Sequence, residues 1–214
     1  MAIEIKQLID GNKKFRTKYF GENRALFDEL VLQGQRPKIM IIACSDSRVD
    51  PAMVFNCQPG QLFVVRNIAN LVPPCENNDS YHGTSAALEF GITFLEVEHI
   101  IMFGHTQCGG IRALVESDQA VVDKKHHGFI AKWMEIARPA YDKVIVDHSN
   151  ASVQDQATLC MQYALINSLK NLQTFPWIQN RVQSGKLSLH AWYFDLSMGG
   201  IHQYDQDNDR WILE

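Results

Sequence analysis

The sequence predicts an α/β fold: a single domain with a mostly parallel central β-sheet flanked by helices, an N-terminal helical arm and a C-terminal edge hairpin. Three observations carry it. Short apolar, β-branched runs recur at Ile39–Ala43, Leu62–Val65 and His99–Phe103, too short for a comfortable helix and continuous enough for strands buried on both faces. Helix-like segments alternate with these runs, and a strand, a helix and a strand in succession make a parallel crossover. The chain has 214 residues, 46% hydrophobic and 21% charged, enough to bury one sizeable core.

In order, Ile5, Leu8, Ile9, Phe15 and Tyr19, then Leu26, Phe27, Leu30 and Val31, recur at helical spacing before Gly34, a helix stop. Two amphipathic helices are expected there. Pro37 leads into the first strand, which ends at Cys44, and Pro59-Gly60 turns the chain into the second. Thr84 to Glu96 presents Ala87, Leu88, Phe90, Gly91, Phe94 and Leu95 as a packed helical face before the third strand, which ends at Gly104-His105. Further helices are expected from Gly109 to Val115 and from Val153 to Leu172, and a fourth strand from Leu187 to Phe194. Gly199–Tyr204 and Arg210–Leu213 read as the terminal hairpin, while Cys75–Ser80 and Ser117–Gly128 read as surface loops. No repeat or linker divides the chain, so residues 1–214 are expected as one domain, with 1–34 as the helical arm and 35–214 as the core.

Lys plus Arg number 20 against 24 Asp plus Glu, a net charge of −4 with no long run of either sign. That leaves no electrostatic footprint for nucleic acid or an anionic membrane. Met1–Asp10 does not build a secretory leader, and no stretch approaches the ~20 apolar residues of a membrane span. A cytoplasmic location is expected. The five cysteines, an odd number in a chain large enough to need no staples, argue against a disulfide framework.

Ligands of parallel sheets collect beyond the carboxyl ends of the strands. There, Cys44 opens Cys44-Ser45-Asp46-Ser47-Arg48, and His105 opens His105-Thr106-Gln107-Cys108-Gly109-Gly110. Two thiolates and an imidazole suit zinc, and three protein donors leave a fourth position for water, the mark of a catalytic rather than a structural site. Cys108 at a helix start gains from unpaired amides that favour a thiolate, and Gly109 and Gly110 would let the backbone turn tightly beside the ion. Each donor alone could be ordinary core, since free cysteine is among the most buried residue types. Charged Asp46 and Arg48 directly after a buried strand are hard to explain as packing.

These two motifs, with Pro59-Gly60 and Arg66-Asn67-Ile68-Ala69-Asn70 between them, resemble the β-class carbonic anhydrases, in their plant-like subtype, densely from about Gln35 to Leu114 and more loosely through Leu187 to Asp195. The resemblance implies zinc held by Cys44, His105 and Cys108, with Asp46 paired to Arg48 as the catalytic residues. The implied reaction is the reversible hydration of carbon dioxide to bicarbonate and a proton, by attack of zinc-bound hydroxide whose proton Asp46 accepts. Arg48 would keep the Asp46 carboxylate from becoming the fourth ligand. The resemblance also implies substrate contacts from Gln35 and the Gly109 backbone, pocket walls from Phe63, Ile68 and Phe90, some reached across a dimer interface, and a homodimer or dimer-based tetramer. Relatives inhibited by bicarbonate at a second site carry Trp and Tyr where this chain has Ile41 and Phe194, so that regulation is not expected here although Arg66 is present.

Other signals are discounted. His126 and His127 follow Lys124 and Lys125 in a polar loop and read as a solvated cluster. Asp205, Asp207 and Asp209 mimic the start of a calcium loop, but Arg210 stands where its glycine belongs and no closing glutamate follows. Cys57, Cys75 and Cys160 have no donors at ligand spacing, and packing accounts for His190. A cysteine phosphatase would need Arg six residues after its Cys, where this chain has Asp50. A non-catalytic zinc or anion-binding module would have no use for an oriented proton acceptor such as Asp46.

Overall fold

The computed structural model describes residues 4–22, 24–76, 78, 80–116 and 128–214. The chain divides into two units, Met1–Arg36 and Pro37–Glu214. In the first, α1 (Ile5–Arg16) opens with a reciprocal Glu4–Gln7 capping box and closes with Lys13, Lys14 and Arg16, whose charges suit the negative end of the helix dipole. A π-helical turn, Thr17–Glu22, joins it to α2 (Arg24–Gln33). Phe15, Tyr19, Phe20 and Phe27 make an aromatic cluster, with Phe15–Tyr19 and Phe20–Phe27 ring centroids both 4.8 Å apart. The expected stop is Gly34, at φ +69°.

The second unit runs β1 (Ile39–Cys44), α3 (Pro51–Val54), β2 (Leu62–Asn67), α4 (Gly83–Glu89) and β3 (His99–His105). It continues with α5 (Gly109–Glu116), α6 (Phe129–Met134), α7 (Arg138–Asp147), α8 (Val153–Leu172) and α9 (Pro176–Gln183), and ends with β4 (Ser188–Phe194), β5 (Ile201–Asp205) and β6 (Arg210–Leu213). The six strands form one sheet in the order β2-β1-β3-β4-β5-β6, parallel through β4 and antiparallel beyond. Val54 and Phe55, at the end of α3, pack with Ile41, Ala43, Ile101 and Phe103 on one face. Leu88 of α4 joins Met40, Ile42, Ile100 and Met102 on the other. The chain thus leaves β1 in opposite directions to reach β2 and β3, and their carboxyl ends part at a switch point, the usual ligand crevice of such sheets.

α8 is the main cover of the larger core. Met161, Leu165 and Leu169, with Cys160, Ala164 and Ser168, recur at helical spacing and are buried. A Cβ at Gly104 would lie 3.0 Å from both Leu165 Cδ1 and Met161 Sδ, so the missing side chain on β3 lets the helix approach.

Some expectations need correction. β2 is an edge strand, half-buried, with Val64 38% exposed, rather than buried on both faces. The apolar run looked alike because sequence does not reveal a strand's place in the sheet order. The helix expected over Thr84–Glu96 is α4 followed by a π-helical turn, Phe90–Phe94. The sequence reading did not identify α3, α6, α7 or α9. His126 and His127, and residues 117–127 of the loop read over Ser117–Gly128, lie outside the described residues. Asp205, Asp207 and Asp209 form the expected hairpin turn, where Asp205 accepts from Asp207 N, Asn208 and Arg210, and Asp209 accepts from Tyr204 OH. Among the described residues no helix is long and apolar enough to cross a membrane.

Candidate metal centre

Cys44 ends β1 and His105 ends the adjacent β3, so sheet pairing alone brings them together. Between His105 and Cys108 the chain makes a tight turn with Gln107 at φ +58°. Thr106 fixes that turn to the end of β4: its N–H donates to Phe194 O at 3.0 Å, and its hydroxyl accepts from Leu196 N at 3.0 Å. Cys108 then sits just before α5, its carbonyl accepting from Arg112 N at 2.9 Å. The result is a buried cluster of Cys44, His105 and Cys108 with ligand atoms all within 4.8 Å of one another.

The donor set fits zinc. The two sulfurs are 3.9 Å apart, against roughly 3.8 Å for two thiolates at tetrahedral angle on one ion with Zn–S of about 2.3 Å. His105 Nδ1 donates to Thr106 O at 2.8 Å, which leaves the lone pair on Nε2. That Nε2 is buried with no hydrogen-bond partner. An orphaned acceptor of this kind costs about 1–3 kcal/mol, and a cation between the sulfurs would satisfy it.

The thiols oppose each other electrostatically. Contact with Cys108 pulls the Cys44 thiol far below its ordinary range against the cost of burial, helped by His105 and by the Asp46 and Ala69 backbone N–H groups. The same contact, then burial, pushes Cys108 up, although the Gly110 and Ile111 N–H groups act the other way. Two sulfurs in such contact oppose double ionisation, and a divalent ion would relieve that opposition.

Beside the cluster, Asp46 Oδ1 accepts from Arg48 Nε at 2.9 Å and from Arg48 N at 3.0 Å, while Oδ2 accepts from Arg48 Nη2 at 2.7 Å. These bonds hold the carboxyl well below the usual carboxylate range. Asp46 Oδ2 is also 3.8 Å from His105 Nε2, so this oriented carboxylate stands beside the ligand atoms. Arg66 braces this loop from β2, donating to Cys44 O at 2.9 Å, Asp46 O at 2.6 Å and Asp50 Oδ2 at 3.0 Å. Asp50, the residue at the phosphatase arginine position, also caps α3 by accepting from Met53 N.

The substrate residues expected from the resemblance separate. Gly109 begins α5 beside Cys108 with open space where a Cβ would be, so nothing crowds it. The tight approach falls at Gly110, where a Cβ would lie 3.0 Å from Ile68 Cγ2. Ile68 is therefore near the cluster, and it is 41% exposed. Phe63 and Phe90 meet each other at 5.9 Å, with Phe94 stacked 5.4 Å beyond. Phe63, however, precedes Asn67, the partner of Cys44, by four strand residues, roughly 13 Å along β2. Within one chain this pair is not brought to the cluster. Gln35 belongs to the N-terminal unit and is exposed. Ile41 is fully buried and Phe194 ends β4. His190 faces His99 across the sheet at 3.3 Å, a pairing the sequence did not suggest, and among the described residues no other metal cluster forms.

Several contributors carried no sequence signal of their role: Thr106 and Gln107, which aim the second motif, Asn67, and Trp133. Most of their contacts, such as Trp133 Nε1 donating to Ile68 O at 2.8 Å, join residues far apart in the chain. Asn67 was visible in the sequence only as a member of the Arg66–Asn70 motif that carries the resemblance.

The carbonic anhydrase family model matches residues 39–201. The chain is 36% identical over 203 residues to β carbonic anhydrase 3 of Arabidopsis thaliana, spanning 95% of this chain and 78% of that protein. Among solved structures it is similar to the β-carbonic anhydrase CcaA, with TM-score 0.88, 33% identity and coverage of 98% and 92% of the two chains. It is also similar to two tetrameric β-carbonic anhydrases of Sordaria macrospora, with TM-score 0.80, 28% identity and coverage of 92% and 95%.

Proposed function

The chain belongs to the β-class carbonic anhydrase family, and from that premise we propose that it hydrates carbon dioxide reversibly to bicarbonate and a proton, with zinc held by Cys44, His105 and Cys108. The observation that carries this reading is the buried, unpartnered His105 Nε2 beside two sulfurs 3.9 Å apart. When bound, zinc would acidify a water and so make hydroxide available near neutral pH.

This chain's residues do the rest. Asp46 accepts the hydrogen of the attacking hydroxyl and turns its remaining lone pair toward the carbon. Arg48 occupies both carboxylate oxygens, which keeps Asp46 an acceptor and discourages it from closing on the metal itself. Gly109 offers a backbone N–H at the free start of α5 to a substrate oxygen. Ile68 supplies hydrocarbon wall beside it, as a small apolar substrate requires. Gln35 is proposed as a further donor on the family resemblance alone.

Phe63 and Phe90 would enter the pocket from a second copy, and the likeness to relatives that form tetramers favours a homodimer or a dimer-based tetramer. Light scattering on purified protein would return a single-chain mass if that assembly is wrong. The reaction is tested by stopped-flow carbon dioxide hydration on metal-quantified protein beside Cys108→Ser and Asp46→Asn. Loss of zinc in the first, and loss of rate with zinc retained in the second, is the expected outcome. A zinc-loaded parent with no hydration activity would contradict it.

A further inference from the structure

The ladder between β3 and β4 continues past the ends of the two strands, with one substitution. In a parallel pair, each bonded residue donates its N–H to a carbonyl of the neighbouring strand and accepts, at its own carbonyl, from the N–H two residues further along that strand. His105 is level with Phe194, so the next step would pair Thr106 with Asp195. The first half of that step is present, with Thr106 N donating to Phe194 O at 3.0 Å. The second half is altered. Leu196 N, which the pattern sends to Thr106 O, donates instead to the Thr106 hydroxyl at 3.0 Å.

The carbonyl released by this exchange serves the metal cluster. Thr106 O accepts from His105 Nδ1 at 2.8 Å, and the ring it holds carries the buried Nε2 that has no hydrogen-bond partner. Both sides of the exchange are fixed. Thr106 is buried, so its polar atoms must be met by protein groups. The corner that presents Leu196 N is itself tied down, with Asp195 Oδ1 accepting from Ser197 N at 2.7 Å and from Met198 N at 3.3 Å. Asp195 N donates to Gly200 O at 2.9 Å, and Gly199 N donates to Asp195 O at 2.8 Å. Leu196 N therefore arrives at a set place and needs an acceptor there, because a donor left unmet away from water is costly.

We infer that Thr106 is a positioning residue: its hydroxyl stands in for its own carbonyl in the ladder, which frees that carbonyl to hold the His105 imidazole in place beside the two sulfurs. The inference rests on the reading that His105 holds the metal. Without the hydroxyl, one carbonyl would answer to two donors, the Leu196 N–H and the imidazole N–H. Drawing the carbonyl back into the ladder would release the ring, and keeping it on the ring would leave Leu196 N unmet. Outer partners of a ligating histidine commonly change metal affinity by about 10–100-fold. Serine at this position keeps the hydroxyl, whereas valine keeps the shape and removes it.

The test uses the full chain with Thr106→Val and Thr106→Ser. Zinc affinity is measured by competition with a chromophoric chelator, and the His105 Nδ1 proton is followed by NMR at saturating zinc, through its shift and its exchange with water. Thr106→Val is expected to weaken zinc binding about 10–100-fold. Its Nδ1 proton should exchange about tenfold faster or more, a local change that lowered global stability alone would not confine to this ring. Thr106→Ser should restore both properties to within about threefold of the parent. An affinity within about twofold of the parent and an unchanged Nδ1 proton in Thr106→Val would overturn the inference while leaving the zinc site intact. Equal losses in the two variants would also overturn it, since they would assign the effect to packing rather than to the hydroxyl. If Thr106→Val fails to fold, the parent decides: slow exchange at both Leu196 N and His105 Nδ1 is expected, and fast exchange at either overturns the inference. A parent that takes up no zinc would overturn the zinc reading, and this inference with it.

Discussion

Arg48 grips both carboxylate oxygens of Asp46, at 2.9 and 2.7 Å, and its Nη2 also donates to Gln107 O at 3.1 Å. One guanidinium thereby fixes the carboxylate after β1 and ties it to the turn that presents Cys108. The Arg48 side chain is 48% exposed, so solvent screens the pair and its contribution is orientation rather than stability.

Replacing the carboxylate or its clamp should therefore impair turnover while sparing the metal. Asp46→Asn is expected to lower kcat by about 10²–10⁴, the range for a positioned proton acceptor. Arg48→Met is expected to lower it by about tenfold or more, because the freed carboxylate loses its direction and can compete for the metal. Zinc content measured beside the rates checks both, and metal loss in Asp46→Asn would count against the assigned role.

The pH dependence follows from the donor set. Two thiolates give more charge to zinc than imidazoles do, so the acidified water should have a pKa above the ~7 of three-histidine sites. Activity should rise into alkaline pH. Asp46 adds no limb near neutrality: its depressed carboxyl stays ionised down through the ordinary carboxylate range. Arg48→Met, which removes the main cause of the depression, should bring an acidic limb toward the ordinary carboxylate range. Rate profiles of the two proteins check this, and a flat parent profile would contradict it.

Core packing sets the platform under the site. Leu165, fully buried on α8 against Gly104 of β3, should cost about 2–5 kcal/mol on truncation to Ala. Gly104→Ala should cost about 1–3 kcal/mol, since Leu165 and Met161 must shift to admit a methyl. Urea unfolding midpoints measure both, and a Gly104→Ala protein as stable as the parent would show that α8 does not depend on that close approach.

Much of this was legible in the sequence because it rests on local patterns. Fully apolar runs marked β1 and β3, which are buried on both faces, and the polar residues just beyond them marked the three donors together with Asp46 and Arg48. The reading over Val153–Leu172 coincides with α8, whose apolar spacing is sustained over 20 residues. What was not legible depends on the order of strands and on contacts between distant segments. β2 shares the composition of β1 yet lies at the sheet edge, and the Phe63–Phe90 pair stands apart from the cluster because Phe63 lies four residues before Asn67, the partner of Cys44. The short helices α3 and α6 carry too few turns to show a period. The links Arg48–Gln107, Arg66–Asp50 and Trp133–Ile68 join residues that no spacing rule connects.

The central claim is one ion held by two sulfurs and one imidazole nitrogen, and X-ray absorption at the zinc edge on protein purified without added metal tests it most directly. The expected result is about one zinc per chain with two sulfurs near 2.3 Å, one nitrogen at about 2.0–2.1 Å and a fourth light-atom ligand. No zinc, or zinc surrounded only by nitrogen and oxygen, would contradict the account.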